Sequence, residues 1–320
     1  MKSLIIGKND AGQRLDKFLS KAVPRLPQSL MYKYIRTKRI KINRKRAEIS
    51  TRLNAGDTVD LYINDEFFEA VPPKYDFLHA PNQLSIVYED KNLLLLDKKA
   101  GLLAHPDEHE YIDTLITRVK RYLYEKGEYC PENENSFVPA LVNRIDRNTG
   151  GIVLAAKNAQ TLRILNQKMK DRELEKYYLC IICGIMKKKE ATLKAYLEKN
   201  EDKNKVYIHA HQQNGDRTII THYKVLAEKN NLSLLEIHLL TGRTHQIRAH
   251  MAFIGHPLLG DGKYGKNTVN KAAGLKKQML YSYKLKFAFK TDAGILNYLN
   301  GKTFEVDKVW FADEFFENKF

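Results

Sequence analysis

A polar turn between two apolar runs holds the side chains best suited to chemistry. Residues 138–142 and 152–156 form the apolar runs, and between them Asp146 lies close in sequence to Arg144 and Arg147. A guanidinium within reach favours the charged carboxylate, so Asp146 is suited to act as a nucleophile or base rather than as a proton donor. On local spacing alone, an ordinary surface ion pair in a β-turn is the simpler interpretation.

The same turn resembles a known active-site motif. Residues 143–152 read N-R-I-D-R-N-T-G-G-I and resemble the H-R-L-D-x-x-T-S-G-L motif of the RluA-type pseudouridine synthases. Asn143 stands where that family usually has His, and Gly150 where it has Ser. The resemblance implies that the protein isomerises uridine to pseudouridine in structured RNA, with Asp146 as the catalytic residue. It also implies two substrate-binding residues in this turn, Arg144 and Thr149.

A second cluster of polar residues is predicted at the start of a helix, in residues 241–250. Many donors at a helix start favour an anion site. The segment resembles the family motif T-G-R-x-H-Q-[IL]-R-x-H, in which an arginine pairs with the catalytic aspartate. Arg243 is the expected partner and Arg248 the second choice, and Arg243 is counted with the catalytic residues. The motif further implies four substrate-binding residues: His245, Gln246, Ile247 and Arg248.

A third motif surrounds Tyr178, in the sequence Glu175 to Leu179. Tyrosine is common in strands, so on composition alone Tyr178 would be a core aromatic residue. Its position matches the K-x-Y motif of the same family. The resemblance implies that Tyr178 stacks on the target base and acts as a general base late in the reaction.

The N-terminal part of the chain is dense in positive charge, with eight basic residues and no acidic one between Lys33 and Arg46. A solvated basic face would explain this density, but on a helix-turn-strand unit it favours a phosphate-contact surface. The order of features from Arg14 onward resembles the S-four RNA-binding module. That resemblance implies five RNA-binding residues: Lys33, Arg36, Lys38, Arg39 and Lys41.

Composition limits the class of protein. Hydrophobic residues make up 43% of the 320-residue chain, which indicates a globular protein. Its 54 Lys and Arg exceed its 38 Asp and Glu, and the net charge of +16 indicates a polyanionic partner. No apolar run approaches the roughly 20 residues of a membrane span. We expect a cytoplasmic monomer that binds RNA, by family analogy large-subunit ribosomal RNA, with no membrane association and no cofactor.

Periodicity predicts few helices and many strands. Apolar spacing predicts helices near 15–22 and at 30–37, 111–125 and 159–170. Strands are expected at 84–89, 93–97, 176–184, 192–198, 206–211, 218–226, 232–240, 280–289 and 303–310. This pattern predicts an α+β fold, with flanking helices on a mixed, largely antiparallel sheet. Adjacent prolines at 72 and 73 suggest a small N-terminal α/β RNA-binding domain at 1–70, a linker at 71–83 and a catalytic domain at 84–320.

Two motifs suggest other chemistry and are set aside. Cys180 and Cys183 form a C-x-x-C, but residues three apart on a strand face opposite sides, so no metal site is expected. Residues 260–265 spell G-x-G-x-x-G without a preceding strand, so no nucleotide site is expected either.

Two other functions remain open on the sequence. A ribosome-assembly factor that binds RNA without turnover would use the basic N-terminal surface equally well. A glycoside or nucleoside hydrolase would use Asp146, but such enzymes usually need a second carboxylate as proton donor, and this motif supplies arginines.

Overall fold

The computed structural model describes residues 1–68, 75–200, 205–265, 270, 274–275 and 277–317. The described strands form two separate sheets, one of four strands and one of eleven. The predicted α+β class and the largely antiparallel sheet are confirmed.

The N-terminal sheet contains β1 (Lys2–Ile5), β2 (Ile40–Ile42), β3 (Lys45–Arg46) and β4 (Thr58–Leu61) in the order β1-β4-β2-β3. Helices α1 (Leu15–Ala22) and α2 (Gln28–Arg36) pack beside it. Their apolar faces meet the sheet in a core of their own, formed among others by Phe18, Ile35 and Ile40. The second helix begins two residues earlier than predicted, because Pro27, with its fixed φ, directly precedes its first turn.

The large sheet carries the remaining strands in the order β11-β10-β12-β13-β9-β14-β8-β6-β5, with β7 paired to β8 and β15 to β14. Its pairings are antiparallel except the one between β14 and β8. The strands are β5 (Ile86–Glu89), β6 (Leu93–Lys98), β7 (Ala140–Leu141), β8 (Gly150–Ala156), β9 (Leu174–Cys183), β10 (Glu190–Asn200), β11 (Lys205–His209), β12 (Arg217–Lys229), β13 (Leu232–Leu239), β14 (Leu280–Phe287) and β15 (Thr303–Glu305).

Four helices flank this sheet in the described residues: α3 (Leu115–Glu125), α4 (Ala159–Lys170), α5 (Gln246–Phe253) and α6 (Trp310–Phe316). The prediction for α4 is confirmed at both ends. Helix α3 begins four residues later than predicted, because Thr114 caps its first turn: the backbone N–H of Thr117 donates to the Thr114 hydroxyl. The strand predicted at 303–310 ends at residue 305, and helix α6 begins at 310.

Alternation along the central strands separates two apolar layers. Ile152 and Leu154 of β8 face one core cluster, and Val153 and Ala155 face another. Strand β9 divides in the same way, and its Tyr178 lies on the face that carries α5. Cys180 is on that face and Cys183 on the opposite one, as predicted from their spacing.

Part of the predicted linker is packed. Residues 69–74 lie outside the described part, but Asp76–His79 form a 3₁₀ turn whose Phe77 is buried with Val119 and Leu123 of α3. The division of the chain at residues 70 and 84 stays a prediction.

Candidate active site

Asp146 lies in the turn between β7 and β8, which the backbone closes by a hydrogen bond from Thr149 N–H to the Asp146 carbonyl. Its carboxylate accepts a hydrogen bond of 2.8 Å from Nη1 of Arg248. The expected partner, Arg243, is exposed, and the prediction that it pairs with Asp146 is wrong. The reason lies in α5, which begins at Gln246, so that Arg248 is in its first turn and points inward while Arg243 precedes the helix.

Neighbours in sequence do not supply the cation either. Within the described residues, the guanidinium of Arg147 donates to the carbonyl of Gly101, and Arg144 lies at the pocket wall without an ion pair to Asp146. The charge opposite Asp146 therefore comes from a residue distant in sequence.

Arg248 is held in place by a second carboxylate. Its Nε and Nη2 donate to the two oxygens of Asp261 at 2.7 and 3.0 Å, and Asp261 is fully buried. Burial opposes the charge of Arg248, but the hydrogen bonds to Asp261 raise its pKa above the ordinary value. Burial also acts against the charge of Asp261, and the Arg248 partner lowers its pKa nonetheless. The guanidinium is thus permanently charged and aimed at Asp146.

Sequence reasoning gave Asp261 no role. It sits inside the G-x-G-x-x-G stretch, where its carboxylate also accepts the backbone N–H groups of Lys263 and Tyr264. Asp261 follows the motif at residues 241–250 by only eleven residues, and that short separation was the available signal.

His245 lies on the other side of the carboxylate. Its Nε2 is 3.8 Å from Asp146 Oδ2, and its Nδ1 is 2.9 Å from the Tyr264 hydroxyl. The residue precedes α5 with a left-handed φ of 51°, which turns the chain into the helix. Burial lowers the pKa of His245, although Asp146 acts in the opposite direction.

Tyr178 lies on the wall of the same cavity, and only 6% of the residue is exposed. Burial raises its pKa to about 12, opposed by a hydrogen bond from Ser282 and reinforced by the charge of Asp146. A neutral phenol therefore faces the pocket near neutral pH, and it can act as a base only if it passes on its own proton in the same step.

The cavity around these groups measures about 760 Å³ and is lined by basic residues as well as apolar ones. Four of the lining residues carry or can carry positive charge without belonging to the Asp146 cluster: His105, Arg144, Lys176 and Arg243. Burial lowers the pKa of Lys176 and of His105. Two carboxylates, Asp146 and the exposed Asp107, also line the cavity, but the basic side chains outnumber them. This excess of positive charge suits an anionic ligand that brings a neutral reacting group to Asp146.

A buried lysine supports the floor of the turn. Lys98 is fully buried, and its Nζ donates to the carbonyls of Leu102, Arg147 and Lys99 at 2.7, 3.0 and 3.2 Å. Burial lowers the pKa of Lys98 to about 7, against the attraction of Asp146. This side chain ties the turn that holds Asp146 to the loop after β6.

Three predicted substrate-binding residues are largely occupied by the protein itself. The Gln246 amide accepts from Thr241 Oγ1 and donates to Thr221 Oγ1 and the Ile220 carbonyl, so it fixes the start of α5. Thr149 is buried and accepts from Gln278 at 3.2 Å. Ile247 is buried, 4% exposed, and contributes apolar wall.

The two departures from the family motif have local explanations. Asn143 accepts the backbone N–H of Leu154 at 2.8 Å and so anchors the turn to β8. A side chain at Gly150 would place its Cβ 2.3 Å from the ring of Tyr281, which leaves no room for serine.

The five predicted RNA-binding residues lie on one continuous segment, from the end of α2 through the turn into β2. Lys33, Arg36, Lys38 and Arg39 are exposed, and Lys41 is half-buried. None of the five is in an ion pair within the described ranges. Three further exposed cations, Arg44, Lys45 and Arg46, extend the same surface.

The described residues contain no cluster of three or more His, Cys, Asp or Glu side chains that could hold a metal ion. Within the same residues, no helix is long and apolar enough to cross a membrane.

Comparison with known proteins places this geometry in a family. The model of the RNA pseudouridylate synthase family matches residues 92–253, and that of the S4 domain matches residues 13–59. An uncharacterised RNA pseudouridine synthase of Mycoplasma capricolum is 32% identical over 98% of this chain and 99% of its own length. A ribosomal large subunit pseudouridine synthase C of Rickettsia felis is 33% identical over 80% of this chain and 83% of its own.

Solved structures share the fold. The human RNA pseudouridylate synthase domain containing 4 protein has a TM-score of 0.55 at 18% identity, covering 71% of this chain and 89% of its own. The human domain containing 1 protein has a TM-score of 0.53 at 20% identity, covering 74% of this chain and 94% of its own. The chain therefore belongs to the RNA pseudouridylate synthase family of isomerases, in its RluA-type branch with an N-terminal S4 domain.

Proposed function

We propose that the protein isomerises specific uridines to pseudouridine in large-subunit ribosomal RNA, with Asp146 as the catalytic residue. The observation that carries the proposal is the Asp146 carboxylate, 2.8 Å from a buried arginine and open to a cavity of about 760 Å³. The Asp146 side chain keeps 25% of its surface exposed, so one oxygen is available to a ligand.

The substrate uridine must leave its stack before a side chain can reach the ribose. Arg144 is exposed at the cavity wall beside Asp146, where it is suited to fill the gap and to contact the phosphate. Arg243 also lines the cavity and gives the flanking backbone a further cationic contact, and His245, whose pKa is lowered by burial, adds a polar group.

Asp146 then either attacks the anomeric carbon or removes the proton from the neighbouring ribose carbon. Either step breaks the bond between the ribose and the base nitrogen. The freed uracil then rotates in the pocket, and its carbon five joins the same ribose carbon. Arg248 holds the carboxylate in place during this sequence, since its own position is set by Asp261.

In the last step Tyr178 takes the proton from carbon five while its own phenolic proton passes to N1 of the uracil ring, so the phenol ends neutral and the product carries an N1–H. That carbon is acidic once it is bonded to the sugar, because rearomatisation of the ring drives loss of its proton. A phenol with a pKa of about 12 needs such a driving force, and the hydrogen bond from Ser282 assists by stabilising the phenolate.

The choice of ribosomal RNA rests on relatives. The Rickettsia felis protein is named a ribosomal large subunit pseudouridine synthase C, and it aligns with 80% of this chain. The S4 domain and the unpaired basic segment of α2 and β2 supply the contact surface for structured RNA. A ribosomal substrate implies a cytoplasmic protein.

The experiment maps pseudouridine in transcripts of large-subunit ribosomal RNA and transfer RNA after incubation with the protein, by carbodiimide labelling and reverse transcription. The intact protein should place pseudouridine at defined positions of the ribosomal transcript, and Asp146→Asn should place none. Asp171→Asn is the matched control, since Asp171 is an exposed aspartate at the end of α4, where its carboxylate accepts a hydrogen bond from Gln167. Modification confined to transfer RNA would refute the substrate, and modification by Asp146→Asn would refute the catalytic role.

A further inference from the structure

A hydrogen-bond network fixes the N-terminal domain on the catalytic domain. Asp10, 2% exposed, accepts from the side chains of Asn135 and Ser136 in the loop before β7. Asn9 accepts the backbone N–H of Ala159, the first residue of α4, at 3.2 Å. Because buried polar contacts of this kind are directional, surface groups on both sides of the junction are held in a defined arrangement.

Two arginines, one from each domain, meet beside this network at Gly12. Nη1 of Arg52 donates to the Gly12 carbonyl at 2.8 Å. A Cβ built on Gly12 would lie 3.4 Å from Nη2 and 3.7 Å from Cζ of Arg163, which belongs to α4. Two guanidinium groups therefore border one residue at the domain junction.

No carboxylate balances this pair within the described residues. The acidic groups nearby are already engaged: Asp10 by neutral donors and Asp16 by Arg14 at 3.0 Å. Burial and the charge of Arg52 both lower the pKa of Arg163, as expected for two like charges in proximity. Both arginines remain exposed to solvent, so a ligand can reach them.

We propose that Arg52 and Arg163 together bind one backbone phosphate of the RNA substrate, across the junction of the two domains. Guanidinium groups suit a phosphodiester because their N–H donors match its two free oxygens. The site would connect the basic surface of the N-terminal domain with the catalytic domain and set the register of the RNA along the protein. This inference rests on the proposed function, since its ligand is the RNA substrate.

The test measures the affinity for a large-subunit ribosomal RNA transcript at several salt concentrations. Arg52→Gln and Arg163→Gln should each weaken binding roughly five- to tenfold. The double variant should weaken binding by less than the product of the two single-variant factors, because both arginines bind the same phosphate. It should also lower the slope of log Kd against log salt by about 0.7 to 0.9, the value for one phosphate contact.

Controls separate the site from general charge loss. Arg217→Gln removes one exposed charge from β12, four strands from the β8 strand that contacts α4, and should leave affinity and slope near those of the intact protein. Arg163→Lys keeps the charge and should retain most of the slope. Arg163 has no hydrogen bond or ion pair among the described residues, so its replacement leaves the fold undisturbed, which a melting curve checks.

The proposal is overturned if Arg52→Gln and Arg163→Gln weaken RNA binding no more than Arg217→Gln does. It is also overturned if the two losses of affinity multiply in the double variant and the slope of log Kd against log salt falls by the value for two phosphate contacts. The proposed function fails separately, if the intact protein makes no pseudouridine in a transcript to which it binds. The binding comparison between variants is read independently of that outcome.

Discussion

Replacing Arg248 by glutamine should damage stability and catalysis through two different carboxylates. The side chain donates one hydrogen bond to Asp146 and two to Asp261, and 9% of it is exposed. Without it, Asp261 is a fully buried carboxylate left with two backbone N–H donors. Loss of one partner of a buried ion pair costs about 3–5 kcal/mol in the free energy of unfolding.

A second substitution separates the two effects. In the Arg248→Gln background, Asp261→Asn removes the unpaired buried charge, so the double variant should be more stable than Arg248→Gln alone, with a coupling of about 2–3 kcal/mol. Catalysis should not return, because Asp146 still lacks its cation. Urea unfolding followed by circular dichroism gives the stabilities, and tritium release from RNA labelled at carbon five of uracil gives the activity.

The matched variant is Arg243→Gln, which removes an exposed arginine from the same motif. It should unfold like the intact protein and lose activity mainly through weaker RNA binding. The reasoning is refuted if Arg248→Gln unfolds within about 1 kcal/mol of the intact protein, a change typical of surface substitutions. It is equally refuted if Arg243→Gln, and not Arg248→Gln, abolishes turnover.

The Asp261 pair also predicts a pH dependence. Although burial opposes its charge, the Arg248 hydrogen bonds lower the pKa of Asp261 in the folded protein. As pH falls, Asp261 is therefore protonated in the unfolded state before it is protonated in the folded state. The pair stabilises the folded protein at pH values above the ordinary aspartate pKa of about 3.9, and this stabilisation is lost as pH falls through the lower pKa of the folded state. Urea unfolding between pH 3 and 6 should show a shallower loss in Asp261→Asn than in the intact protein; equal slopes would contradict the assignment.

Three further substitutions test single contacts. Tyr178→Phe should lower turnover roughly 100-fold or more, the range of general-base catalysis. The unfolding free energy should fall by about 1–3 kcal/mol at most, because only the hydrogen bond from Ser282 is lost. Near-normal tritium release would exclude the role. Lys98→Met leaves three carbonyls without their donor and should cost about 2–3 kcal/mol. It should also flatten the rise in stability from pH 7 to 10, because the folded pKa is about 7 and the unfolded value about 10.4, so the unfolded state binds the extra proton in that window. Gly150→Ser should lower the free energy of unfolding by about 1–3 kcal/mol, because its side chain clashes with Tyr281. Adding Tyr281→Ala to the same chain should recover the part of this loss that the clash causes. If the losses of the two substitutions simply add in the unfolding assay, the two residues do not compete for space.

Local patterns were sufficient for the elements and for the turn that holds Asp146. Helix α4 was predicted at both ends, since its apolar spacing lies within a single segment. The turn with Asp146 was found because its two apolar runs and its motif are contiguous in the chain. Such features depend on residues a few positions apart, which a sequence displays directly.

Contacts between distant segments were not accessible in this way. The choice of Arg248 over Arg243 depends on where α5 begins and on the left-handed His245 before it, a conformation that no propensity favours. Asp261 was hidden in a glycine pattern that suggested another chemistry. The Arg52–Arg163 pair exists because one domain docks on the other, and neither arginine belongs to a motif in its own segment.

The most direct measurement of the central claim is the rate of tritium release by Asp146→Asn at saturating RNA, with its affinity for the same RNA measured alongside. The account predicts release below detection while Kd stays within about threefold of the intact protein, because Asp146 acts on the sugar and the cationic surfaces supply the binding. Release by Asp146→Asn at more than about one tenth of the intact rate would contradict it, since loss of an essential nucleophile or base costs at least 100-fold.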